Sequence, residues 1–257
     1  MRSLVSVSSR SDVGAVRHVN EDRFLAEDPV FVVADGMGGH ARGDVASQTA
    51  VDSLARTLPA GTRPTPVEVI AAIDEANAAV RSLSGADESG VAVAGTTLTG
   101  VIRVRVPERA DEQWMVVNVG DSRVYLWDGE RLRQLSVDHS AVQELVDAGL
   151  ITQEQAAVHP ERNMITRALG AEDFVDTDVI MVPEEGRPTF LICSDGLTRE
   201  LDDARIAEIL AAGVADAADR LVDAAVEAGA HDNVTVIVVQ TVDGDDTHGA
   251  HDTESLG

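Results

Sequence analysis

The sequence contains no lysine. All 20 basic residues are arginines, against 45 aspartates and glutamates. A Walker-type phosphate loop, a Schiff-base lysine and the ATP-anchoring lysine of kinases all need an ammonium group, so these three kinds of site are excluded. The formal net charge is −25. Because nucleic acid and anionic membrane surfaces attract proteins through a positive field, neither is an expected partner.

Cysteine and long apolar runs are also scarce. Cys193 is the single cysteine, so no disulfide can form within the chain, and this fits a reducing compartment. No stretch approaches the ~18 uninterrupted apolar residues of a membrane-spanning helix, and the N-terminal residues form no sustained apolar segment. We therefore expect a cytoplasmic protein without a membrane anchor.

The remaining composition is that of an ordinary globular protein. The 257 residues are 44% hydrophobic and 25% charged, which is enough to bury a sizeable core. Short apolar or alternating segments predict strands; they lie at 4–8, 30–34, 96–106, 113–119, 122–127, 130–135, 179–182, 189–193 and 234–241. Helical patterns lie near 44–58, from 66 onward, and at 203–212 and 216–228.

Local signals define several of these elements. Thr65, Pro66 and Glu68 form the N-cap, first position and capping box of the second helix, whose apolar face holds Val69, Ile73 and Val80. The apolar side of the first helix is predicted to hold Val45, Thr49, Leu54 and Leu58. Asp128-Gly129 predicts a two-residue hairpin turn within an antiparallel meander that runs from 96 to 135.

These elements predict an α+β fold, a four-layer α-β-β-α sandwich with two central, mainly antiparallel sheets flanked by helices. Residues 1–242 form one domain, in which 139–170 is an irregular, partly helical excursion beside a site. The acidic tail, 243–257, has no apolar periodicity and is expected to be disordered.

Three aspartates stand at abrupt ends of apolar strands. Asp35 follows VFVVA, Asp195 follows FLICS, and Asp232 precedes NVTVIVVQT. Strand ends on a rigid sheet can bring carboxylates within reach of one ion, and oxygen ligands without a His/Cys cluster suit Mg²⁺ or Mn²⁺. The alternative for each aspartate is a turn cap, as in many Asp-Gly pairs.

Such a cluster suits the hydrolysis of phosphate esters. The ester oxygens are negative, so attack near neutral pH needs charge neutralisation and a strong oxygen nucleophile, both of which a pair of metal ions supplies. Arg17 is the candidate for gripping the remaining phosphate oxygens through its planar fork of donors.

Eight segments, in order along residues 8–241, together resemble the metal-dependent serine/threonine protein phosphatases, the PPM or type 2C family, in its bacterial form. They are SDVGAVRHVNEDRF (11–24), VVADGMGGH (32–40), AGTTLTGVI (94–102), VVNVGDSRVYLW (116–127), SVDHS (136–140), NMITRALG (163–170), LICSDGLTREL (191–201) and HDNVTVIVV (231–239). The resemblance implies that a water bridging two manganese or magnesium ions attacks phosphoserine or phosphothreonine in line, without a phosphoenzyme.

The resemblance also implies roles for individual residues. Asp35 would bridge two ions, the Gly36 carbonyl, Asp195 and Asp232 would complete the ligand set, and Arg17 would hold the phosphate. The residues expected beside the ligands are Glu21, Asp22 and Asn233. Of these, Glu21 and Asp22 would act through metal-bound water. Asp121, in GDSR, matches the aspartate of a third, weaker ion, and 139–170 matches the variable flap.

The sequence departs from many eukaryotic members at Met37, which stands where they have a histidine proposed as general acid. His40 is the nearest candidate for that role in this chain. The last motif reads AHDN, in which a glycine usual in the family is absent, and a local loop difference is expected there.

Three other interpretations remain open. Cys193, Gly196 and Arg199 match the C-x-x-G-x-x-R loop of cysteine-dependent phosphatases, although Asp195 would oppose a thiolate and repel phosphate. A catalytically silent phosphoprotein-binding module would not need the full acid set. Hydrolysis of a small phosphorylated metabolite would use the same site. The expected partners are phosphoproteins phosphorylated by serine/threonine kinases, and the expected state is a monomer.

Overall fold

A computed structural model describes residues 4–37, 42–87, 90–92, 94–107, 112–184, 186 and 188–242. Two of the predictions fall outside these ranges: the role of His40 as general acid and the disorder of the tail at 243–257.

The described chain forms strands and helices in alternating groups. The strands are β1 (Leu4–Asp12), β2 (Asp22–Glu27), β3 (Val30–Met37), β4 (Gly85–Asp87), β5 (Gly90–Ala92), β6 (Gly95–Thr96), β7 (Leu98–Arg105), β8 (Glu112–Val119), β9 (Arg123–Trp127), β10 (Leu132–Gln134), β11 (Asp178–Pro183), β12 (Thr189–Cys193) and β13 (Val234–Val242). The helices are α1 (Gly43–Thr57), α2 (Pro66–Arg81), α3 (Ala141–Asp147), α4 (Gln153–Ala157), α5 (Asp195–Thr198), α6 (Asp203–Ala211) and α7 (Ala217–Ala228).

Two antiparallel sheets lie at the centre. One has the strand order β1-β13-β12-β9-β10, and the other has the order β11-β8-β7-β3-β2, with β6 paired to β3. Helices cover their outer faces, and β4 pairs with β5 in a small separate ribbon. The predicted four-layer α-β-β-α sandwich is therefore confirmed.

The side chains of β3 alternate between two hydrophobic clusters, one on each face of the sheet. Val30 and Val32 pack toward α1 and α2, whereas Phe31 and Val33 pack between the sheets. Successive side chains of a strand point to opposite faces, and both faces of this strand are covered, so the apolar run VFVVA is buried throughout. A third cluster packs α6 and α7 against β12 and β13.

The predicted N-terminal cap of α2 is confirmed, but one residue predicted on the buried face of α1 is exposed. The Thr65 capping box is present, with Pro66 at the first helical position. In α1, however, Val45 is 45% exposed, so its predicted place on the buried side is wrong. The buried side instead carries small residues, among them Ala46 and Ala50, which let the helix lie close to the sheet.

The predicted strands differ from the structure in three places. The sequence pattern does not predict β2, because DRFLAE alternates only weakly between apolar and polar residues. The meander from 96 to 135 is wrong, since β7–β8 belong to one sheet and β9–β10 to the other. The hairpin at Asp128-Gly129 is present, but Trp127 pairs with Leu132, which makes the loop four residues long. Asp128 stabilises this loop by accepting the backbone N–H groups of residues 130 and 131.

No helix in the described part of the chain combines the length and apolar character that crossing a lipid bilayer requires.

Candidate active site

Acidic residues from both sheets meet at one end of the sandwich. Asp35 lies near the end of β3, directly opposite Asp22 on β2. Asp195 begins α5 immediately after β12, and Asp232 precedes β13, which pairs with β12. The three aspartates predicted at strand ends therefore lie together. The strands that carry them end or begin at the same side of the molecule.

Asp35 is partly buried and surrounded by other carboxyl groups. Burial raises its pKa well above the ordinary value, and repulsion from neighbouring carboxylates raises it further; these are Asp22, Asp195, Asp121 and Asp232. The backbone at this position is fixed by Thr97, whose hydroxyl accepts the Asp35 N–H at 2.9 Å and whose N–H donates to the Asp35 carbonyl at 2.9 Å. The strand therefore holds a carboxyl that resists ionisation without a compensating cation.

Asp195 and Asp121 share this environment. Burial raises the pKa of Asp195 to about 6, and Asp232 adds repulsion while Arg199 opposes the rise. Burial and the nearby Asp195 raise the pKa of Asp121 to about 7. One carboxylate oxygen of Asp121, Oδ1, is buried without a hydrogen-bond partner. An unpaired buried acceptor is costly, so this oxygen gains from any cation that reaches it.

Asp22 ties the two sheets together beneath the site. Its Oδ2 atom accepts hydrogen bonds from the hydroxyls of Ser194 and Thr235, each at 2.7 Å. The side chain is only 2% exposed, and burial raises its pKa to about 7 despite those two donors. Asp22 is thus a buried acid directly opposite Asp35, and its place beside metal ligands stays a prediction.

Gly36 lies where no side chain fits. A Cβ atom there would come within 2.2 Å of the Gly43 carbonyl oxygen and 2.6 Å of the Glu21 carbonyl oxygen. The Gly36 N–H donates to that same Glu21 oxygen at 3.2 Å. The glycine therefore allows three backbone segments to approach closely behind Asp35.

Asn233 positions the loop that carries Arg17. Its amide oxygen accepts the Glu21 N–H at 2.8 Å, and its amide nitrogen donates to the carbonyls of Val13 and Val19 at 3.0 Å each. Arg17 is half exposed and contacts Asp232 Oδ2 through Nη2 at 2.8 Å. A buried asparagine therefore holds both ends of the loop, and the guanidinium stands at the rim of the acid cluster.

Arg199 was not identified as part of this cluster from the sequence. Its guanidinium contacts Asp195 Oδ2 through Nη2 and Asp232 Oδ2 through Nη1, the latter at 3.2 Å. The spacing of four residues from Asp195 is the signal that was available, because residues i and i+4 lie on the same side of a helical turn.

The excursion at 139–170 is anchored to the turn that carries Asp121. The His139 N–H donates to the Gly120 carbonyl at 2.9 Å, and the Gly120 N–H donates back to His139 Nδ1 at 3.0 Å. The other ring nitrogen, Nε2, lies 3.3 Å from Asp178 Oδ2. This buried histidine therefore connects the excursion to Gly120, the residue before Asp121, a role that its motif alone did not reveal.

Cys193 is unsuited to nucleophilic chemistry. Its side chain is fully buried in the core formed by the first sheet, α6 and α7. Burial raises its pKa to about 12, so the reactive thiolate is not available near neutral pH. The cysteine-dependent interpretation is therefore not supported, and Cys193 is a core residue.

Within the described ranges, the acid cluster offers oxygen ligands but no preformed metal cage. Among the residues that the structure describes, no three His, Cys, Asp or Glu side chains form a ready-made cage; Arg17 and Arg199 lie against the carboxylates instead. The donor set nevertheless fits Mg²⁺ or Mn²⁺, which prefer oxygen ligands. Burial and mutual repulsion raise the pKa values of Asp35, Asp121 and Asp195, and Asp121 Oδ1 has no hydrogen-bond partner, so a bound cation would stabilise the ionised acids.

Comparison with known proteins identifies a single family. The family model described as protein phosphatase 2C matches residues 15–231. The serine/threonine phosphatase Stp of Listeria innocua is 40% identical over 243 residues, which are 90% of this chain and 94% of that protein. The serine/threonine protein phosphatase PstP of Mycobacterium tuberculosis is 39% identical over 245 residues, which are 93% of this chain and 45% of that longer protein.

Solved structures agree with these relatives. The crystal structure of the M. tuberculosis phosphatase PstP superimposes with a TM-score of 0.80 at 38% identity and covers 92% of this chain and 98% of that one. The catalytic domain of PstP in complex with two manganese ions gives a TM-score of 0.81 at 36% identity and covers 94% and 100% of the respective chains.

Proposed function

Because this chain belongs to the protein phosphatase 2C family, we propose that it hydrolyses the phosphate esters of phosphoserine and phosphothreonine in proteins. The observation that carries this proposal is the convergence of Asp35, Asp195 and Asp232 from two sheets, with Arg17 at their rim. Such an array can hold divalent cations, and cations together with Arg17 attract a negatively charged phosphate ester.

Two divalent ions, Mn²⁺ or Mg²⁺, are part of the proposal. Asp35, the Gly36 carbonyl, Asp195 and Asp232 would hold them, and Asp121 would hold a third. When bound, the ions polarise the phosphate ester and lower the pKa of water, which supplies both an electrophile and a nucleophile. The PstP catalytic domain, whose structure contains two manganese ions, supports this cofactor choice.

The protein's own side chains bind and orient the phosphate. Arg17 offers parallel donors to two phosphate oxygens, a geometry that a carboxylate or phosphate accepts in bidentate fashion. Asn233 fixes the ends of the Arg17 loop, which limits the motion of the guanidinium. Asp22 and Glu21 lie beside the ligands. Water attacks in line with the departing serine or threonine oxygen, so no phosphoenzyme forms.

The substrates we propose are phosphoproteins made by serine/threonine kinases, and we place the reaction in the cytoplasm, carried out by a monomer. The single cysteine is buried and free, which suits a reducing compartment.

Phosphate release from a phosphothreonine peptide tests the proposal. The wild-type protein should require added Mn²⁺ and lose activity with a chelator, and Asp35→Asn should reduce kcat at least about a hundredfold, since an interaction essential to charge stabilisation is lost. Cys193→Ser is the matched control and should retain activity.

Two results would overturn the proposal. Activity that survives the chelator but disappears in Cys193→Ser would restore the cysteine-dependent mechanism. Tight binding of the phosphopeptide without phosphate release at saturating Mn²⁺ would indicate a silent binding module.

A further inference from the structure

Arg199 places a positive charge between two of the proposed metal ligands. It follows α5 as its C-cap, and its N–H donates to the Asp195 carbonyl at 2.9 Å. From this fixed backbone position the side chain turns back over the helical turn. Its two terminal nitrogens contact Asp195 Oδ2 and Asp232 Oδ2.

Asp232 already accepts three hydrogen bonds, two of them at Oδ2. Oδ2 accepts from Arg17 at 2.8 Å and from Arg199 at 3.2 Å, and Oδ1 accepts the Asn233 N–H at 2.9 Å. A carboxylate oxygen offers about two lone-pair directions, so both directions of Oδ2 are occupied. An ion that takes this oxygen as ligand has to displace one of the two guanidinium groups.

Arg199 is the group better placed to leave. Arg17 serves the phosphate in the proposed function, and Asn233 holds its loop. Arg199 has no such role in the proposed function, and from the end of a short helix its partly exposed side chain can extend into solvent. A divalent ion held by Asp195 and Asp232 would repel the guanidinium that contacts the same two carboxylates, so Arg199 and the ion compete for them.

Arg199 also compensates the acids electrostatically. Its charge lowers the pKa of Asp195 against the effect of burial, and it acts in the same direction on Asp121. A protein without this arginine would have to fold with less positive charge among these acids. The guanidinium therefore stabilises the metal-free fold, and the same charge opposes binding of a divalent ion.

We propose that Arg199 is a built-in competitor for the divalent cation at Asp195 and Asp232, and that it sets the metal concentration at which the site fills. The inference rests on the metal site of the proposed function, but it concerns affinity for the ion and not the chemical step.

Isothermal titration of the chelator-treated, dialysed protein with MnCl₂ tests this inference. Arg199→Gln should bind Mn²⁺ about 5- to 30-fold more tightly than wild type, the range expected for loss of two partly exposed ion pairs. Arg199→Lys keeps the charge and should remain within about threefold of wild type. Arg205→Gln is the matched control, since Arg205 is exposed and pairs with Glu208 on α6.

Thermal melting is a second measurement, and it distinguishes competition with the ion from a purely structural role of Arg199. Without metal, Arg199→Gln should melt a few degrees below wild type, because Asp195 and Asp232 lose their counter-charge. With saturating Mn²⁺ the difference should disappear, whereas loss of a simple structural contact would lower the melting temperature in both conditions. Arg205→Gln should match wild type in both.

The possible failures are distinguishable. Unchanged or weaker Mn²⁺ binding by Arg199→Gln would overturn the inference, as would a raised KM for the phosphopeptide at unchanged metal affinity, which would make Arg199 a substrate-binding residue. Tighter Mn²⁺ binding in a protein that releases no phosphate would overturn the proposed function and leave the inference intact.

Discussion

Asp22 and Asp35 face each other as direct partners across the β2–β3 ladder, one beneath the site and one within it. Like charges opposite each other on neighbouring strands are destabilising. Burial raises the pKa of both carboxyls, and Asp22 is the largest source of charge repulsion on Asp35. The fold therefore maintains an arrangement that is unfavourable without added positive charge.

The stability of the chelator-treated protein should decrease as pH rises from about 5 to 8. Folding raises the pKa of Asp22 and Asp121 to about 7 and that of Asp195 to about 6, from 3.8. In this window the folded state binds more protons than the unfolded state, so each group contributes a slope of up to about −1.4 kcal/mol per pH unit. Urea unfolding at several pH values measures this slope.

Asp22→Asn should make that slope shallower, because one of the titrating groups is gone. Saturating Mn²⁺ should flatten the profile in the wild-type protein, since the ion favours the ionised carboxylates. Stability that increases with pH between 5 and 7 in the chelated protein would contradict the raised pKa values.

Gly36→Ala should destabilise the protein and abolish most of its activity. The added Cβ would lie 2.2 Å from the Gly43 carbonyl oxygen, so the backbone behind Asp35 has to move. Overpacking of this kind costs about 1–3 kcal/mol. Gly95→Ala is the matched control on the neighbouring β6 strand, where the nearest atom would be 3.4 Å away. Thermal melting and peptide dephosphorylation should both separate the two variants; equal effects would argue against a special role for Gly36.

Asn233→Ala should lower kcat/KM about 10- to 100-fold, because displacement of a positioning group by about 1 Å has effects of that size. The variant loses the bonds that hold both ends of the Arg17 loop. Combined with Arg17→Gln it should show less than the sum of the two single effects.

Asn77→Ala serves as the control for burial alone. Asn77 is equally buried and also makes three side-chain hydrogen bonds, which tie α2 to residues 170–173. It should lose stability like Asn233→Ala but keep most of its kcat/KM. If the Asn233 and Arg17 effects are fully additive, Asn233 does not act through Arg17.

Thr65→Ala should lower the free energy of unfolding by about 1 kcal/mol, the usual effect of removing an N-cap. The Thr65 hydroxyl accepts the Glu68 N–H, and the Glu68 carboxylate accepts the Thr65 N–H at 2.7 Å. Because α2 covers the outer face of its sheet, Mn²⁺-dependent activity at 25 °C should be unchanged. Glu68→Gln keeps the acceptor oxygen and should lose less stability; a marked loss of activity in either variant would be contrary to expectation.

The sequence was sufficient for features that depend on neighbouring residues. The Thr65 capping box, the apolar strands around Phe31 and Ile192, and the aspartates at their ends were predicted because period, caps and strand ends are local properties. The motifs from 11–24 to 231–239 also predicted the family, since they fix residue types at the site.

Only the tertiary structure decided which of these groups touch. The chain crosses from one sheet to the other between β8 and β9, and no local pattern distinguishes that crossing from a continued meander. Val45 is exposed because packing of α1 on the sheet selected the small-residue side. Arg199 reaches Asp232 because β12 and β13 are paired, so two residues 33 positions apart lie at one end of the same sheet. Contact, burial and raised pKa depend on distances through space, which the order of residues does not contain.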